Sequence, residues 1–250
     1  MRWIALPLAV AVLGAAACGG SEENEPTTLT VSAASSLKLA FEEYACGLAN
    51  TRVRFSFAGS DELAAQIRQG ARPDVFAAAN TSLPRQLSQR RLAERPVPFA
   101  GNRLVLAVPR DSDVRSLRDL ERPGVGIAVG SPGVPVGAYT REVLARLGSA
   151  RSARILANVR SNEPDVAGVI GKLSQGAGDA GFVYATDVEA TRGELQAIEL
   201  PDRLQPTVAY AAVVVKGSGH PAEARAFIDG LLRARGLRVM RDAGFEPPPG

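Results

Sequence analysis

The sequence predicts an α/β protein built from alternating strands and helices. Residues 53–57 alternate apolar and polar side chains with a period of two, which is typical of a strand. After a turn of small residues, the apolar positions from Leu63 to Ile67 recur at the spacing of one helix face. The same strand–turn–helix unit occurs earlier, over residues 29–48. Repetition of this unit indicates an open α/β sheet flanked by helices.

The pattern restarts after Pro109, so the 250-residue chain divides into two blocks. The first block covers residues 29–103 and the second covers residues 104–208, and residues 209–250 are expected to return to the first. Long strand-like segments near residues 102–109 and 207–215 are the predicted crossings between the blocks. The other elements that we predict are strands near residues 75–79, 126–130 and 180–184, and helices near residues 83–92, 117–120, 136–147, 163–173 and 221–232.

The first residues are typical of a targeting segment. Arg2 precedes an apolar run, Ile4 to Val12, that is too short for a permanent membrane-spanning helix. Residues 1–17 are therefore predicted to be a signal peptide, and the small residues before Cys18 resemble a bacterial lipoprotein cleavage box. The resemblance implies that Cys18 is lipidated and that residues 18–28 tether the protein to the outer face of the cell membrane. The alternative is an ordinary signal peptide cut nearby, or a chance cysteine.

Serines stand at the predicted starts of two helices. Ser60 follows a strand and the small residues Ala58 and Gly59, and Ser35 and Ser36 follow the first strand. In an open α/β sheet such turns lie side by side at the carboxyl ends of the strands, where ligands bind. A helix start with free N–H groups and a hydroxyl favours an anion. The alternative is that each serine only caps its helix.

Composition argues against several other functions. The net charge is +3 without a basic run, and the single Trp, Trp3, lies in the leader, which does not favour a nucleic-acid partner. The single histidine, His220, stands in an expected exposed turn, and the sequence carries no metal-ligand cluster or phosphate-binding loop. Cys46 is the only cysteine besides Cys18, so no disulfide is expected within one chain. These observations favour a binding protein without a cofactor over an enzyme.

Seven segments, the first two of which belong to the strand–turn–helix units described above, follow one another along the chain: Val31–Leu37, Phe57–Ile67, Pro73–Ala79, Asn102–Pro109, Pro135–Tyr139, Asn162–Val166 and Asp179–Tyr184. Together they resemble the molybdate-binding proteins of bacterial ABC importers, over essentially all of residues 29–246. The resemblance implies a type II periplasmic-binding-protein fold with two lobes. Each lobe would be a mostly parallel sheet flanked by helices, with the ligand in the cleft between the lobes. We expect a monomer that delivers molybdate or tungstate to an ABC transporter permease in the membrane.

The resemblance also implies which residues bind the ligand. The first lobe would contribute the hydroxyls of Ser36 and Ser60, and the second the backbone N–H groups of Val136 and Val166 and the hydroxyl of Tyr184. Such a site would hold a dianion with neutral donors and helix dipoles. Fully deprotonated molybdate only accepts hydrogen bonds, whereas monohydrogen phosphate brings a proton that a shell of donors cannot receive.

Two other functions and one residue stay open. The same fold could bind sulfate or another small anion. The chain could also be a secreted α/β hydrolase-like enzyme that uses Ser36 or Ser60, although neither serine has the Gly-x-Ser-x-Gly pattern. Asp61, directly after Ser60, either favours the helix start by its charge or faces the pocket and repels a dianion.

Overall fold

The computed structural model describes residues 26–249. The predicted signal peptide, the lipidation site Cys18 and most of the tether therefore lie outside the described residues. Within residues 26–249, every helix is too short or too polar to cross a membrane.

One five-stranded sheet combines the first strands of the chain with a strand near its end. Its strands are β1 (Thr27–Ala34), β2 (Thr51–Ala58), β3 (Val75–Ala78), β4 (Val97–Asn102) and β10 (Val208–Val214). Their order in the sheet is β2-β1-β3-β10-β4. β1 pairs in parallel with β2 and β3, whereas β10 runs antiparallel to β3 and β4.

The middle of the chain forms a second five-stranded sheet with the same plan. Its strands are β5 (Leu104–Pro109), β6 (Ile127–Gly130), β7 (Val159–Glu163), β8 (Ala180–Tyr184) and β9 (Leu195–Glu199). Their order is β7-β6-β8-β5-β9. β6 pairs in parallel with β7 and β8, whereas β5 runs antiparallel to β8 and β9.

Both sheets are mixed, but four of the five strands in each run in the same direction, so the predicted mostly parallel sheets are present with one reversed strand apiece. In each sheet, two pairings are parallel and two are antiparallel. The reversed strand is β10 in the first sheet and β5 in the second, and each is the strand that enters its sheet from the other one. A strand that arrives from the other sheet does not pass through the helical crossover that makes neighbouring strands parallel.

The crossings between the sheets are short segments rather than long strands, which corrects one prediction. β4 ends at Asn102, and only Arg103 separates it from β5. On the return, residues 200–207 connect β9 to β10. The strand predicted over residues 207–215 therefore belongs to the first sheet alone, and the one predicted over residues 102–109 is interrupted at Arg103.

Helices pack against both sheets. They are α1 (Lys38–Ala45), α2 (Ser60–Arg68), α3 (Ser82–Gln89), α4 (Pro135–Arg146), α5 (Ser149–Ala157), α6 (Val166–Ser174), α7 (Ala185–Ala190), α8 (Pro221–Leu231) and α9 (Ala234–Asp242), with 3₁₀ turns at Ser35–Leu37, Asp119–Glu121 and Asp202–Leu204. The sequence did not predict α5, α7, α9, β4, β7 or β9. Most of these elements bury few side chains, so their apolar pattern is weak. β4 contains Pro98 and Gly101, which are uncommon within strands.

We call the first sheet with α1, α2, α3, α8 and α9 the first lobe, and the second sheet with α4, α5, α6 and α7 the second lobe. β3, β8 and β10 are buried along their whole length, so the core of each lobe surrounds a strand inside its sheet. The predicted two-lobed α/β architecture is therefore present, and the helix starts that follow the strands lie between the lobes.

Candidate functional site

All five residues that the sequence analysis singled out for the ligand line one small cavity between the lobes. They are Ser36, Ser60, Val136, Val166 and Tyr184. The cavity volume is about 20 Å³, far below the roughly 300–1,000 Å³ of sites for drug-sized organic molecules. Its walls follow the ends of the parallel strands of both sheets, which is where α/β folds bind ligands. The cavity therefore has room only for a compact ligand.

Ser60 begins α2 rather than capping it. Gly59 occupies the N-cap position, so the predicted cap is wrong by one residue. The Ser60 side chain is buried, and its Oγ accepts a hydrogen bond from the Ala79 N–H at 3.1 Å. Because the oxygen accepts from the protein, the hydroxyl hydrogen is left to donate to a group in the cavity.

Ser36 lies in the 3₁₀ turn between β1 and α1. Its Oγ is 3.0 Å from the hydroxyl oxygen of Tyr210, a residue of β10 that lies 174 positions further along the chain. The sequence analysis did not identify Tyr210, because a tyrosine within a long apolar strand has the pattern of an ordinary core residue. No local motif marks it, and only the sheet order brings it behind Ser36.

The second lobe presents two helix starts to the cavity, as predicted. Val136 is the second residue of α4, and Val166 is the first residue of α6. N–H groups in the first turn of a helix have no intrahelical acceptor, and the helix dipole places partial positive charge there. Asp165, the N-cap of α6, also lines the cavity, and its carboxylate accepts the Gly168 N–H at 2.8 Å.

Tyr184 ends β8, as predicted, and its hydroxyl is buried without a hydrogen-bond partner among residues 26–249. Burial raises its pKa well above the ordinary value for tyrosine, and the nearby Tyr210 and Tyr139 add to the shift. The hydroxyl therefore keeps its proton. A buried polar group without a partner is costly, so an acceptor in the cavity would stabilise this one.

The two lobes touch beside the cavity. Gly59 of the first lobe lies against the carbonyl oxygen of Pro164 in the second, so a Cβ on Gly59 would collide with it. Asp61 adjoins this contact, with Oδ2 3.2 Å from the position that a Cβ on Gly133 would take. Asp61 is not among the cavity-lining residues. Its carboxylate lies in the first turn of α2 beside the lobe contact, where Oδ1 is buried without a hydrogen-bond partner among the described residues.

Neutral donors dominate the cavity. No Lys, Arg or His is among its lining residues, and no group of three or more His, Cys, Asp or Glu that could hold a metal ion is found in the described part of the chain. Behind Tyr184, Asp187 accepts the Tyr184 N–H at 3.1 Å. Burial, together with the neighbouring Asp165 carboxylate, raises the pKa of Asp187 to about 7. The arrangement suits an anion that accepts hydrogen bonds, and it offers no imidazole base to activate a serine.

A larger groove of about 970 Å³ adjoins the cavity. It lies between α1 and α9 of the first lobe and α6 and α7 of the second, and it shares Ser35 and Ser36 with the cavity. Its charged lining residues are Glu43, Asp187, Glu189, Glu194 and Asp242, against Lys38 and Arg192. This excess of carboxylates repels an anion, so the small cavity is the better candidate for an anion site.

Comparison with known proteins finds relatives along almost the whole chain. The family model of bacterial extracellular solute-binding proteins matches residues 29–246. The molybdate-binding protein ModA of Mycobacterium tuberculosis strain H37Rv is 36% identical over 267 aligned residues, which cover 99% of this chain and 100% of the relative.

Two solved structures share the fold. The periplasmic molybdate-binding protein of Azotobacter vinelandii matches with a TM-score of 0.79 and 22% identity, covering 88% of this chain and 100% of that protein. The sulfate-binding protein SubI of Mycobacterium tuberculosis matches with a TM-score of 0.77 and 18% identity, covering 88% of this chain and 87% of that protein. At these identities the two structures are evidence for the fold only, and they confirm the predicted two-lobed α/β class.

Proposed function

This chain belongs to the family of bacterial extracellular solute-binding proteins, and we propose that it binds molybdate outside the cytoplasm and delivers it to the permease of an ABC importer. The full-length similarity to a molybdate-binding protein supports the choice of ligand. Tungstate, a dianion of the same tetrahedral shape, is the second expected ligand. Lipidation of Cys18 would hold the protein at the outer face of the membrane, beside the permease.

The observation that carries this proposal is the set of donors around the small cavity. Serine hydroxyls from one lobe face two helix starts and a tyrosine hydroxyl from the other, and no cationic side chain lines the space. A buried dianion is tolerable without a counter-charge only if its oxygens are hydrogen-bonded. The helix dipoles of α4 and α6 add favourable partial charges. Monohydrogen phosphate is disfavoured, since these five groups are arranged to donate and the one carboxylate on the lining, Asp165, already accepts the Gly168 N–H.

Sulfate is the second candidate, because a sulfate-binding protein shares the fold. Sulfate also only accepts hydrogen bonds, so the type of donor does not distinguish it from molybdate. The size of the anion does distinguish the two, because Mo–O bonds are longer than S–O bonds and molybdate is therefore the larger anion. The similarity in sequence favours molybdate, since it is 36% over the whole chain for the molybdate-binding relative and 18% for the sulfate-binding one.

We infer a binding role without catalysis, for a monomer that needs no cofactor. His220 stands at the N-cap of α8 and is not among the residues that line the cavity. A hydrolase-like enzyme would need a base next to Ser36 or Ser60. Measured turnover of small esters would overturn this inference, and a flat assay supports it.

The test of the proposal is a calorimetric titration of the purified mature chain, without lipid, with molybdate, tungstate, sulfate and phosphate. We expect molybdate and tungstate to bind far more tightly than the other two. At about 100 times the Kd, bound ligand should add about 2.7 kcal/mol to the free energy of unfolding, which a rise in melting temperature reports. Equal affinity for sulfate would overturn the assignment of molybdate, and the absence of heat with all four would overturn the anion site.

A further inference from the structure

A chain of hydrogen bonds runs behind Ser36 and connects it to the second lobe. The Asn102 side-chain amide nitrogen donates to Thr186 Oγ1 at 2.9 Å and to the Tyr210 hydroxyl at 3.5 Å. The Tyr210 hydroxyl in turn lies 3.0 Å from Ser36 Oγ. Asn102, Thr186 and Tyr210 are all buried, so no bulk water competes for these bonds. The chain therefore ends at a hydroxyl that lines the cavity.

Asn102 determines which group donates in each of these hydrogen bonds. The Asn102 Oδ1 accepts the Arg103 N–H at 2.8 Å, which turns the NH₂ group of the amide toward Thr186 and Tyr210. An NH₂ group only donates, so the Tyr210 oxygen is the acceptor of that contact. Its own hydrogen is then free for Ser36 Oγ. A phenol is also a stronger donor than an alkyl hydroxyl, which favours the same direction.

With its oxygen occupied by Tyr210, Ser36 has its hydrogen left for the cavity. Burial raises the pKa of Tyr210 well above its ordinary value, although the hydrogen bond from Asn102 and that with Ser36 lower it in part. The phenol thus keeps the proton that it donates. The Ser60 hydroxyl is also left to donate to the cavity, since its oxygen accepts the Ala79 N–H.

We propose that Tyr210 is a positioning residue that occupies a lone pair of Ser36 Oγ, directs the Ser36 hydrogen into the cavity and so disfavours oxyanions that carry a proton. This inference rests on the proposed function and deepens it, because it assigns part of the ligand selectivity to a residue that does not line the cavity. If Tyr210 did not donate to it, Ser36 Oγ could accept the proton of monohydrogen phosphate. Selectivity against phosphate would then weaken.

The test compares Tyr210→Phe with Tyr44→Phe by calorimetric titration with molybdate and with inorganic phosphate in slightly alkaline buffer. Tyr44 is a matched control, because its buried hydroxyl donates to the Phe227 carbonyl oxygen at 3.0 Å, away from the cavity. We expect Tyr210→Phe to reduce the ratio of molybdate to phosphate affinity by about tenfold, the equivalent of one hydrogen bond. Tyr44→Phe should leave the ratio unchanged. An unchanged ratio in Tyr210→Phe would overturn the proposal.

A second variant reverses the direction of these hydrogen bonds, and it keeps the proposal testable if Tyr210→Phe does not fold. Asn102→Asp replaces the donating NH₂ group by an acceptor, so Tyr210 should donate to the new carboxylate and Ser36 should donate to Tyr210. The added charge weakens both dianions alike, but the ratio of molybdate to phosphate affinity should again fall. A wild-type chain that binds neither molybdate nor sulfate would overturn the proposed function. A wild-type chain that selects molybdate, with ratios unchanged in both variants, would overturn the role of Tyr210 alone.

Discussion

The two lobes supply the cavity with donors that are held in different ways. In the first lobe, the oxygens of Ser36 and Ser60 are already hydrogen-bonded to other groups of the same lobe. In the second lobe, the Tyr184 hydroxyl has no partner in the described part of the chain, and the other donors are N–H groups in the first turns of α4 and α6. The difference indicates that the first lobe carries a preformed half-site, whereas the second lobe carries groups that an acceptor would satisfy.

This asymmetry suggests an order of events. A ligand would bind the preorganised first lobe and then stabilise the closed arrangement by pairing with the donors of the second. The hinge would lie at the crossings, where Arg103 and residues 200–207 join the sheets. The closed arrangement is the form that the permease would recognise. Three tests, made with four substitutions and their controls, probe this comparison between the lobes.

Gly59→Ala should have an effect at least as large as the loss of one donor, because it separates the lobes without removing any donor. The backbone of Gly59, at φ −59° and ψ 134°, suits alanine, but the new methyl group would meet the Pro164 carbonyl oxygen of the other lobe. Overpacking of this kind costs about 1–3 kcal/mol, so we expect the affinity for molybdate to fall by up to about 100-fold. Calorimetry measures the affinity, and small-angle scattering measures whether the ligand still reduces the radius of gyration.

The control for this variant is Gly219→Ala, since no atom lies within 4 Å of a Cβ at that position. It should bind molybdate as the wild type does. If Gly59→Ala also bound normally and compacted on binding, the contact between the lobes would have no part in holding the ligand.

Comparison of Ser60→Ala with Tyr184→Phe separates the two kinds of donor. Ser60→Ala should weaken binding by about 1–3 kcal/mol and also lower the melting temperature of the ligand-free protein, because the buried Ala79 N–H loses its acceptor. Tyr184→Phe should weaken binding by about 1 kcal/mol and leave the melting temperature unchanged or raised, because it removes a buried hydroxyl that has no partner. Titration and thermal unfolding of both variants give the four values.

Ser218→Ala is the control for the loss of a serine hydrogen bond in the first lobe, since its hydroxyl bonds to Asp74 and does not line the cavity. It should lower the melting temperature and leave the affinity alone. Equal thermal destabilisation by Ser60→Ala and Tyr184→Phe would remove the distinction between a preformed and an unsatisfied half-site.

The sequence predicts the residues that line the cavity well, and it predicts the residues that hydrogen-bond to them from behind poorly. Ser60 stands where a strand meets a helix, and that junction has a local pattern of alternation, small residues and a helix stripe. Tyr184 is identified through the family resemblance, at the end of a predicted strand. Tyr210 and Asn102 support Ser36 from positions 174 and 66 residues away, and both occur in stretches that have only the pattern of buried strands. Nothing in a single sequence shows which buried polar side chains will meet.

The same limit explains the errors in the fold. The parallel strands follow from the repeated strand–helix unit, but the reversed direction of β5 and β10 depends on where the chain crosses between the sheets. That crossing takes place at a single residue, Arg103, inside a stretch that has the pattern of one continuous strand. The contact between Gly59 and Pro164 likewise depends on the relative position of the two lobes.

The two lobes should also differ in how a carboxylate responds to pH. In the first lobe, burial alone would raise the pKa of Asp74, but hydrogen bonds from Ser218 and Thr30 outweigh it, and the pKa lies below the ordinary value. In the second lobe, Asp187 accepts the Tyr184 N–H but lacks comparable support, and burial raises its pKa to about 7. The free energy that Asp74 contributes is therefore lost only in acid, as pH falls through its lowered pKa.

For Asp187, the dependence of folding stability on pH has the opposite sign and covers a different pH range. Its pKa in the folded protein, about 7, lies above the ordinary 3.8, so the folded state binds the proton more tightly and stability falls as pH rises from about 4 to about 7. Asp187→Asn keeps an oxygen for the Tyr184 N–H and cannot ionise. We therefore expect the wild type to lose about 1–2 kcal/mol more than Asp187→Asn between about pH 5 and about pH 7, measured by denaturant unfolding of the ligand-free protein. Parallel stability curves for the two proteins would show that the second lobe holds this carboxylate as well as the first lobe holds Asp74.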